Sequence, residues 1–303
     1  MIRGAREGVL VDTLQGFYRA PIGEGDIREV ERIEGGRGDD TMRGGPGAET
    51  FLGGGGADEL FGRSGDDVHC TASAFPGIDT HGGYAEYLRT SARSVVKLDP
   101  SLQPADVAAL ADAGLTAYHA AAKASRRLGP RDTCVVIGAG GLGHIGLQVL
   151  KALTPARLVV LDRNPDAVKL ALEIGADDGI VADGGQVEEV LSLTGGNGAE
   201  AVIDFVGEGG STAQGLAMTR RAGDYHVVGY GENVDVPTID LISAEVNVVG
   251  NLVGSYNDLC DLMELAARGR VTLHTSTYAL DDFQSALDDL DAGTVRGRAI
   301  LVP

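Results

Sequence analysis

The chain has 303 residues, of which 43% are hydrophobic and 5% aromatic, and it carries a formal net charge of -19. This length allows one large domain or two medium domains with a real core. The negative charge disfavours binding to nucleic acid or to an anionic membrane surface, and it suits a soluble protein or a binder of cations. No stretch of the sequence reaches the roughly 18 consecutive apolar residues that a membrane-spanning helix needs.

The N-terminal stretch and the cysteines indicate a cellular location. The first residues contain no apolar segment of the kind found in signal peptides. Three cysteines, Cys70, Cys134 and Cys260, form no evident disulfide framework. So sparse and odd a number is typical of a reducing compartment, and we therefore expect the protein in the cytoplasm.

The first predicted elements are four nine-residue blocks within residues 35–70, namely GGRGDDTMR, GGPGAETFL, GGGGADELF and GRSGDDVHC. The first and fourth positions of every block are Gly. The sixth position is always acidic, as Asp40, Glu49, Asp58 and Asp67. The eighth position is apolar in three blocks, as Met42, Phe51 and Leu60, and is His69 in the fourth. This pattern resembles the nonapeptide of RTX-type (hemolysin-type) calcium-binding β-rolls.

That resemblance implies a short β-roll in which glycines form the turns and carbonyl and carboxylate oxygens bind Ca²⁺. Turns on one side alternate, so Asp40 would pair with Asp58, and Glu49 with Asp67. Glu49 departs from the usual Asp of that family. Two alternatives stay open, a flexible Gly-rich tract and DNA translated in a wrong frame. Repeat arrays need several neighbours, and this one is short.

From about Leu98 the pattern changes to alternating strands and helices. Short β-branched runs predict the strands: CVVIGAG, ARLVVLD, GIVAD, EAVIDFVG, DYHVVGYG and EVNVVGNLVG. One helix should begin at Asn164–Pro165 and end at Gly175, with its apolar face made by Val168, Ala171 and Leu172. This alternation predicts an α/β fold, a doubly wound parallel sheet with right-handed crossovers.

The first strand, turn and helix of this part contain Gly138, Gly140 and Gly143 in the G-x-G-x-x-G spacing. The first glycine allows a tight turn, the second lets the backbone approach a pyrophosphate, and the third lets helix and strand pack closely. The helix N-terminus then favours the phosphates. Asp162 ends the second strand, where a carboxylate binds the adenosine ribose of NAD and repels the 2′-phosphate of NADP. Arg163 beside it favours NADP, and the balance favours NAD.

Residues 69–303 resemble the zinc-type medium-chain alcohol dehydrogenases, close to the bacterial NAD-dependent secondary-alcohol branch. The matching stretches include DTHGGYAEYL, ADAGLTAYHA, VIGAGGLGHIGLQVLKAL and VRGRAILVP. The resemblance implies a Rossmann NAD-binding domain at 103–257. It also implies a remnant of the GroES-like catalytic domain at 69–102 and 258–303, preceded by the RTX-like segment at 1–68.

The resemblance also implies roles for single residues. Asp112 matches the third protein ligand of the catalytic zinc, Thr116 would lie near the nicotinamide, and Cys70 matches the last of four structural-zinc cysteines. The cofactor would further contact Gly141, Leu142, Val206, Gly229, Asn251, Leu252 and Arg298. The stretch 237–252 resembles the edge by which the family dimerises, which implies a homodimer or homotetramer that acts on a small alcohol or ketone.

The departures from that family concern zinc. Its catalytic domain begins with a Cys ligand, a Thr/Ser and His relay, a Gly-His-Glu motif and three further cysteines. This chain has no Cys and no His before His69. Zn²⁺ takes four ligands, at least three of them from protein, and without it the alcohol lacks a Lewis acid. We therefore expect hydride transfer to be absent or very low. The alternatives are a non-catalytic NAD-binding or calcium-binding protein, or a recombined fusion product.

The remaining histidines and cysteines have simpler interpretations. His119 and His144 occur in helical, mostly apolar contexts and are expected to be packed histidines. Cys134 and Cys260 are expected in the core. A makeshift zinc site made of His69, Cys70 and His81 stays open as an alternative.

Overall fold

A computed structural model describes the backbone of eight short strands and one turn of helix within residues 1–69. It also describes residues 75–90, 94–295 and 297–303, and side chains from Val68 onwards. The chain divides into two compact units, Met1–Ser73 and Ala74–Pro303, which are described one after the other.

The first unit contains short strands arranged in two sheets. They are β1 Ile2–Arg3, β2 Leu10–Asp12, β3 Phe17–Ala20, β4 Gly23–Asp26, β5 Arg32–Glu34, β6 Thr41–Arg43, β7 Thr50–Leu52 and β8 Glu59–Phe61. One sheet has the strand order β1-β5-β7 and the other β4-β3-β2-β6-β8. From β5 onwards the strands recur with the nine-residue period of the sequence and alternate between the two sheets.

Parallel pairing in this unit joins strands that lie two repeats apart. Arg32 of β5 pairs with Thr50 of β7, and Thr41 of β6 pairs with Glu59 of β8. The eighth positions of the first three blocks lie on β6, β7 and β8, as in a β-roll. The fourth block differs, because it forms the 3-10 helix Asp67–His69 in place of a strand. The backbone is therefore β-roll-like over the first three repeats.

The second unit alternates helices and strands along the chain. Its helices are α1 Pro104–Val107, α2 Ala113–Ser125, α3 Gly143–Leu153, α4 Pro165–Glu173, α5 Gln186–Leu193, α6 Ser211–Met218, α7 Thr238–Ala244, α8 Tyr256–Ala267 and α9 Phe283–Asp291. Its strands are β9 Thr133–Ile137, β10 Arg157–Asp162, β11 Asp178–Val181, β12 Ala199–Asp204, β13 Thr219–Val227, β14 Asn247–Gly250, β15 Thr275–Ala279 and β16 Arg298–Val302. Short 3-10 helices cover Ala108–Ala111 and Leu280–Asp282.

Strands β9 to β14 form one parallel sheet in the order β11-β10-β9-β12-β13-β14. Counted from β9, this is the order 3-2-1-4-5-6 of the Rossmann fold, in which ligands bind beyond the carboxyl ends of the strands. The predicted doubly wound parallel sheet is confirmed, and all six predicted strands are part of it.

The side chains of β9 show why the sheet is covered on both faces. Cys134 and Val136 pack into a cluster with α2, α3 and α8, whereas Val135 and Ile137 pack on the opposite face with residues of α5 and α6. All of β9 is buried, as expected for a strand in the middle of a doubly covered parallel sheet. Burial raises the pKa of the Cys134 thiol to about 12, so this cysteine is an inert core residue.

Helix α4 begins and ends where the sequence predicts. The Asn164 side chain accepts a hydrogen bond from the Asp166 N–H at 2.9 Å, and Gly175 adopts a φ of +118° after the last turn. Val168 is buried, but Leu172 is 45% exposed. Leu172 lies close to Gly179 on β11, which is the edge strand of the described six-stranded sheet.

The flanking parts of this unit are less buried than the sheet. Strands β15 and β16 form a two-stranded parallel sheet beside α9. Within 75–90, Ile78 and Tyr87 are more than four-fifths exposed.

No helix in the described part of the chain has the length and apolar character needed to cross a membrane.

Candidate functional site

The glycine loop joins the carboxyl end of β9 to α3. Gly138 has a φ of +89°, and a Cβ there would come within 2.8 Å of the Val206 side chain. A Cβ on Gly143 would overlap the carbonyl oxygen of Gly138. A Cβ on Gly140, in contrast, would meet nothing within 4 Å. Two of the glycines are thus required by packing, and the third leaves open space beside the backbone, as a bound pyrophosphate requires.

Asp162 lies at the end of β10, beside this loop. One of its carboxylate oxygens accepts the Ala139 N–H at 2.7 Å, and the other accepts the Asn164 N–H at 2.8 Å. Arg163 is exposed, and its guanidinium lies over Gly209, whose carbonyl oxygen is 3.4 Å away. The carboxylate is therefore fixed at the glycine loop, while the neighbouring cation extends over the loop that follows β12.

Arg298, the first residue of β16, lies against the glycine loop from the other side. Its Nη1 is 2.8 Å from the position that a Cβ would take on Gly141. The backbone N–H of Arg298 donates to the His274 carbonyl at 2.9 Å, which fixes the start of the strand. Leu142 is half-buried and immediately precedes α3. A guanidinium and a helix N-terminus thus meet at the same place, and both favour an anion.

The remaining predicted cofactor residues lie at the carboxyl ends of the next strands. Val206 follows β12 and Gly229 follows β13, and a Cβ on Gly229 would overlap the Val206 carbonyl group. Asn251 follows β14, and its amide donates to the carbonyl oxygens of Val227 and Val249 at 3.1 and 3.0 Å. Leu252 is 52% exposed. These residues share one edge of the sheet with the glycine loop and Asp162, while their contacts with a cofactor stay a prediction.

Sequence reasoning missed a buried carboxylate that shapes this edge. Asp204, the last residue of β12, is fully buried. One oxygen accepts the backbone N–H groups of Val206 and Gly207, at 2.8 and 3.0 Å. The other accepts the hydroxyls of Ser211 and Tyr225, at 2.7 and 2.8 Å. An acidic residue at the end of an otherwise apolar strand, in AVIDF, was the available signal.

A second carboxylate that the sequence did not reveal is Glu232. It accepts the N–H groups of Gly210 and Thr212, both at 2.9 Å, and the Thr212 hydroxyl at 2.8 Å. These hydrogen bonds lower the pKa of Glu232. The carboxylate thereby caps the N-terminus of α6 from a loop that follows β13. No sequence pattern indicated this contact, because the two segments are brought together only by the sheet.

The three histidines of the sheet region differ in their surroundings. His144 is almost fully buried, as predicted, and its Nδ1 is 2.8 Å from the Gly140 carbonyl oxygen. His119 is only partly a packed residue, because its Nδ1 is 2.8 Å from the Asp258 carboxylate at the start of α8. His226 on β13 is buried, and its ring lies beside the Asn251 side chain. Burial lowers the pKa of His226 to about 4.

The two residues predicted on the catalytic side lie at the start of α2. Asp112 precedes the helix and its side chain is exposed. Thr116 donates its hydroxyl to the carbonyl oxygen of Asp112, the residue just before this helix, at 2.9 Å. No other His, Cys, Asp or Glu side chain of the described residues joins Asp112 in a group of three that could hold a metal.

Within the described residues, the available His, Cys, Asp and Glu side chains therefore do not fit a catalytic zinc. All six histidines lie in the described part of the chain, and they form no such group there. Outside it the only cysteine is Cys70, at the predicted structural-zinc position. The predicted calcium ligands Asp40, Glu49 and Asp58, and the side chain of Asp67, also lie outside the described residues. Their roles stay predictions.

Known protein families match two separate parts of the chain. The sequence model of zinc-binding dehydrogenases matches residues 141–268. An NAD-dependent alcohol dehydrogenase of Sulfolobus acidocaldarius is 34% identical over 241 residues, which cover 78% of this chain and 69% of the relative. The chain belongs to the zinc-type alcohol dehydrogenase family. The sequence model of the RTX calcium-binding nonapeptide repeat matches residues 30–60 and 43–68.

Two further dehydrogenases are similar to this chain. A D-arabinose 1-dehydrogenase (NADP(+)) of Saccharolobus solfataricus is 35% identical, over 77% of this chain and 68% of its own. The alcohol dehydrogenase from Aeropyrum pernix, known from a crystal structure, has 42% sequence identity to this chain and a TM-score of 0.75. The match covers 78% of this chain and 70% of that dehydrogenase. The chain thus matches about two thirds of the length of these dehydrogenases.

Proposed function

We propose that this chain binds NAD at the carboxyl edge of the sheet and keeps the cofactor half of an alcohol dehydrogenase. The observation that carries the proposal is the glycine loop, where Gly143 packs on Gly138 while the backbone at Gly140 stays open. Asp162 would bind the adenosine ribose, and Arg298 with the N-terminus of α3 would bind the pyrophosphate. When bound, NAD supplies the nicotinamide that exchanges a hydride with an alcohol or ketone.

The preference for NAD over NADP follows from the position of the charges. Asp162 is fixed by two backbone N–H groups, so its carboxylate cannot turn away from an added 2′-phosphate. Arg163 is directed over Gly209. A titration followed by the fluorescence of NADH and NADPH tests this proposal. We expect saturable binding of NADH and weaker binding of NADPH, and a folded chain that binds neither would refute it.

We propose further that zinc-assisted hydride transfer is absent or very low in this chain. Asp112 supplies one exposed carboxylate, and a catalytic zinc site needs three protein ligands. Without a metal, the developing alkoxide has no Lewis acid to stabilise it. Formation of NADH from secondary alcohols should stay at background level with or without added Zn²⁺. Zinc-dependent turnover at an ordinary enzyme rate would overturn this proposal.

Calcium binding by residues 35–70 is a second proposed function. The nine-residue spacing of β5 to β8 and the match to RTX repeats support it. Calcium would be held by carbonyl oxygens of the turns and by the acidic sixth positions of the blocks. Circular dichroism during a calcium titration tests this function. A spectrum that does not change at millimolar Ca²⁺ would speak against it.

The assembly, location and origin of the chain are also proposals. Strand β14 is the last strand of the sheet, and Ile239 and Ile242 of the neighbouring α7 are more than 60% exposed. We propose a homodimer or homotetramer through this edge, and light scattering with Ile242→Glu tests the assembly. We also propose that the protein is located in the cytoplasm.

Sequencing reads that cross residues 62–70 without interruption would exclude an artefactual fusion.

A further inference from the structure

His144 is placed to act on the glycine loop, although it follows the motif. It is the second residue of α3, and its side chain is only 1% exposed. Its Nδ1 is 2.8 Å from the Gly140 carbonyl oxygen, which also accepts the backbone N–H of His144 at 3.2 Å. The ring Nδ1 and the backbone N–H of His144 thus both bind the carbonyl oxygen of Gly140.

The surroundings of His144 fix which nitrogen carries the hydrogen. A carbonyl oxygen only accepts, so the hydrogen of the neutral ring lies on Nδ1. Nε2 is buried and has no partner among the described residues, and a hydrogen there would be a buried, unpaired donor. Burial lowers the pKa of His144, the bond to Gly140 opposes this, and His274 and Arg298 lower it further. The ring is therefore a neutral donor at physiological pH.

The bond to Gly140 determines the orientation of the next amide. The peptide between Gly140 and Gly141 is trans and planar, so its C=O and N–H point in opposite directions. A peptide between two glycines is the least restrained in its rotation. Because His144 holds the C=O toward the helix, the Gly141 N–H points outward from the N-terminus of α3. Arg298 lies over this same glycine.

We propose that His144 is a positioning residue for the cofactor. Its ring N–H locks the Gly140–Gly141 peptide so that the Gly141 amide and the Arg298 guanidinium present donors to one anion, the pyrophosphate of NAD. This inference rests on the proposed function, since it assigns the anion to that cofactor. It adds a side chain of α3 to a loop whose recognition is otherwise made by glycine backbone.

The test compares two substitutions in the full chain by NADH fluorescence titration. His144→Asn keeps a side-chain N–H donor that can reach Gly140, and His144→Leu removes it. We expect His144→Leu to weaken NADH binding about tenfold, which is the effect of one lost hydrogen bond, and His144→Asn to recover most of the affinity. His81→Asn, in an exposed position, is the matched control and should bind like the original chain.

Equal affinities of the original chain and His144→Leu, with matching thermal unfolding, would overturn the inference. So would an Asn variant as weak as the Leu variant, since packing alone would then explain both. A long-range ¹H–¹⁵N spectrum tests the ring without cofactor. We expect the Nδ1–H tautomer, and the Nε2–H tautomer would refute the inference even where NADH binds. A chain with the Nδ1–H tautomer that binds no NADH would refute the proposed function alone.

Discussion

The carboxyl edge of the sheet and the start of α2 contrast within one unit of this chain. At the sheet edge, the glycine loop, Asp162 and Arg298 converge on one place, and the supporting carboxylate of Asp204 is fully paired. At the start of α2, Asp112 is exposed, without the further ligands that a metal needs among the described residues. The first region brings together the kinds of group that a dinucleotide site uses, whereas the described residues around Asp112 form no group that could hold a metal.

The two kinds of site depend on different parts of the chain. The cofactor site depends mainly on backbone geometry at the ends of adjacent strands and on the glycines that this geometry requires. A zinc site depends on several side chains that arrive from separate segments, and it fails when any of those segments is replaced. A dehydrogenase that loses one metal-ligand segment would therefore keep most of its cofactor site.

The largest loss of cofactor binding is expected from a methyl group added inside the glycine loop. Gly143→Ala places a Cβ on the Gly138 carbonyl oxygen, and we expect it to destabilise the fold by about 3 kcal/mol and to abolish NADH binding. Gly140→Ala adds the same methyl in open space and should change the free energy of unfolding by less than about 0.5 kcal/mol. It should still weaken NADH binding, because the methyl occupies the space beside the pyrophosphate.

Urea unfolding and NADH titration of both variants check this pair. Gly143→Ala with the original stability and affinity would show that helix and strand do not pack as closely as described. Gly140→Ala with the original affinity would place the pyrophosphate elsewhere.

The burial of His226 predicts a pH dependence of stability. Its pKa is about 4 when folded, below the ordinary value of 6.5, because burial outweighs the attraction of Asp224, while Lys123 and Arg127 lower it further. The unfolded histidine binds a proton between these values and the folded one does not. The free energy of unfolding should therefore fall by on the order of 3 kcal/mol as the pH drops from about 6.5 to about 4.

Urea unfolding at several pH values checks this, with His226→Phe as the comparison. The phenylalanine variant should lose less stability across that window. An equal loss in both proteins would show that His226 is not the group responsible.

A smaller effect is expected at the ribose position. Asp162→Ser removes the carboxylate and should weaken NADH binding about tenfold while NADPH binding changes little. The exposed Asp166, in the first turn of α4, offers a matched control, and Asp166→Ser should leave both affinities unchanged. Fluorescence titrations with the two cofactors measure this. A variant that loses both cofactors equally would assign Asp162 to loop structure alone.

The smallest effect is expected from a substitution of Asp112. Asp112→Asn removes the one carboxylate that matches a family zinc ligand. Because this side chain is exposed, we expect no change in NADH affinity, in stability or in zinc content measured by atomic absorption. A loss of bound zinc in this variant would reveal a metal site that this account denies.

Much of the second unit could be predicted from its sequence. The β-branched runs gave all six strands of the sheet, and Asn164, Pro165 and Gly175 gave the ends of α4. These features are local, because strand propensity, capping and turn formation depend on neighbouring residues. The start of β13 was missed, since Thr219–Gly223 has a mixed pattern and contains Ala222 at a φ of +56°.

The contacts that hold the site together could not be predicted in the same way. Glu232 caps α6 from another loop, and Arg298 reaches Gly141 from the last strand of the chain. The Gln148 side chain links α3 to the backbone of Thr272. Its Nε2 donates to the Thr272 carbonyl oxygen and its Oε1 accepts the Thr272 N–H, both at 2.9 Å. Such pairs are distant in sequence, and only the folded sheet brings them together.

The central claim is that this chain binds NAD without a bound zinc. Isothermal titration calorimetry of NAD into the full chain, stripped of metal with a chelator, tests it most directly. We expect saturable binding at one site per chain, with an affinity that added Zn²⁺ does not change. A folded, metal-free chain that binds no NAD, or that binds it only after zinc is restored, would contradict the account.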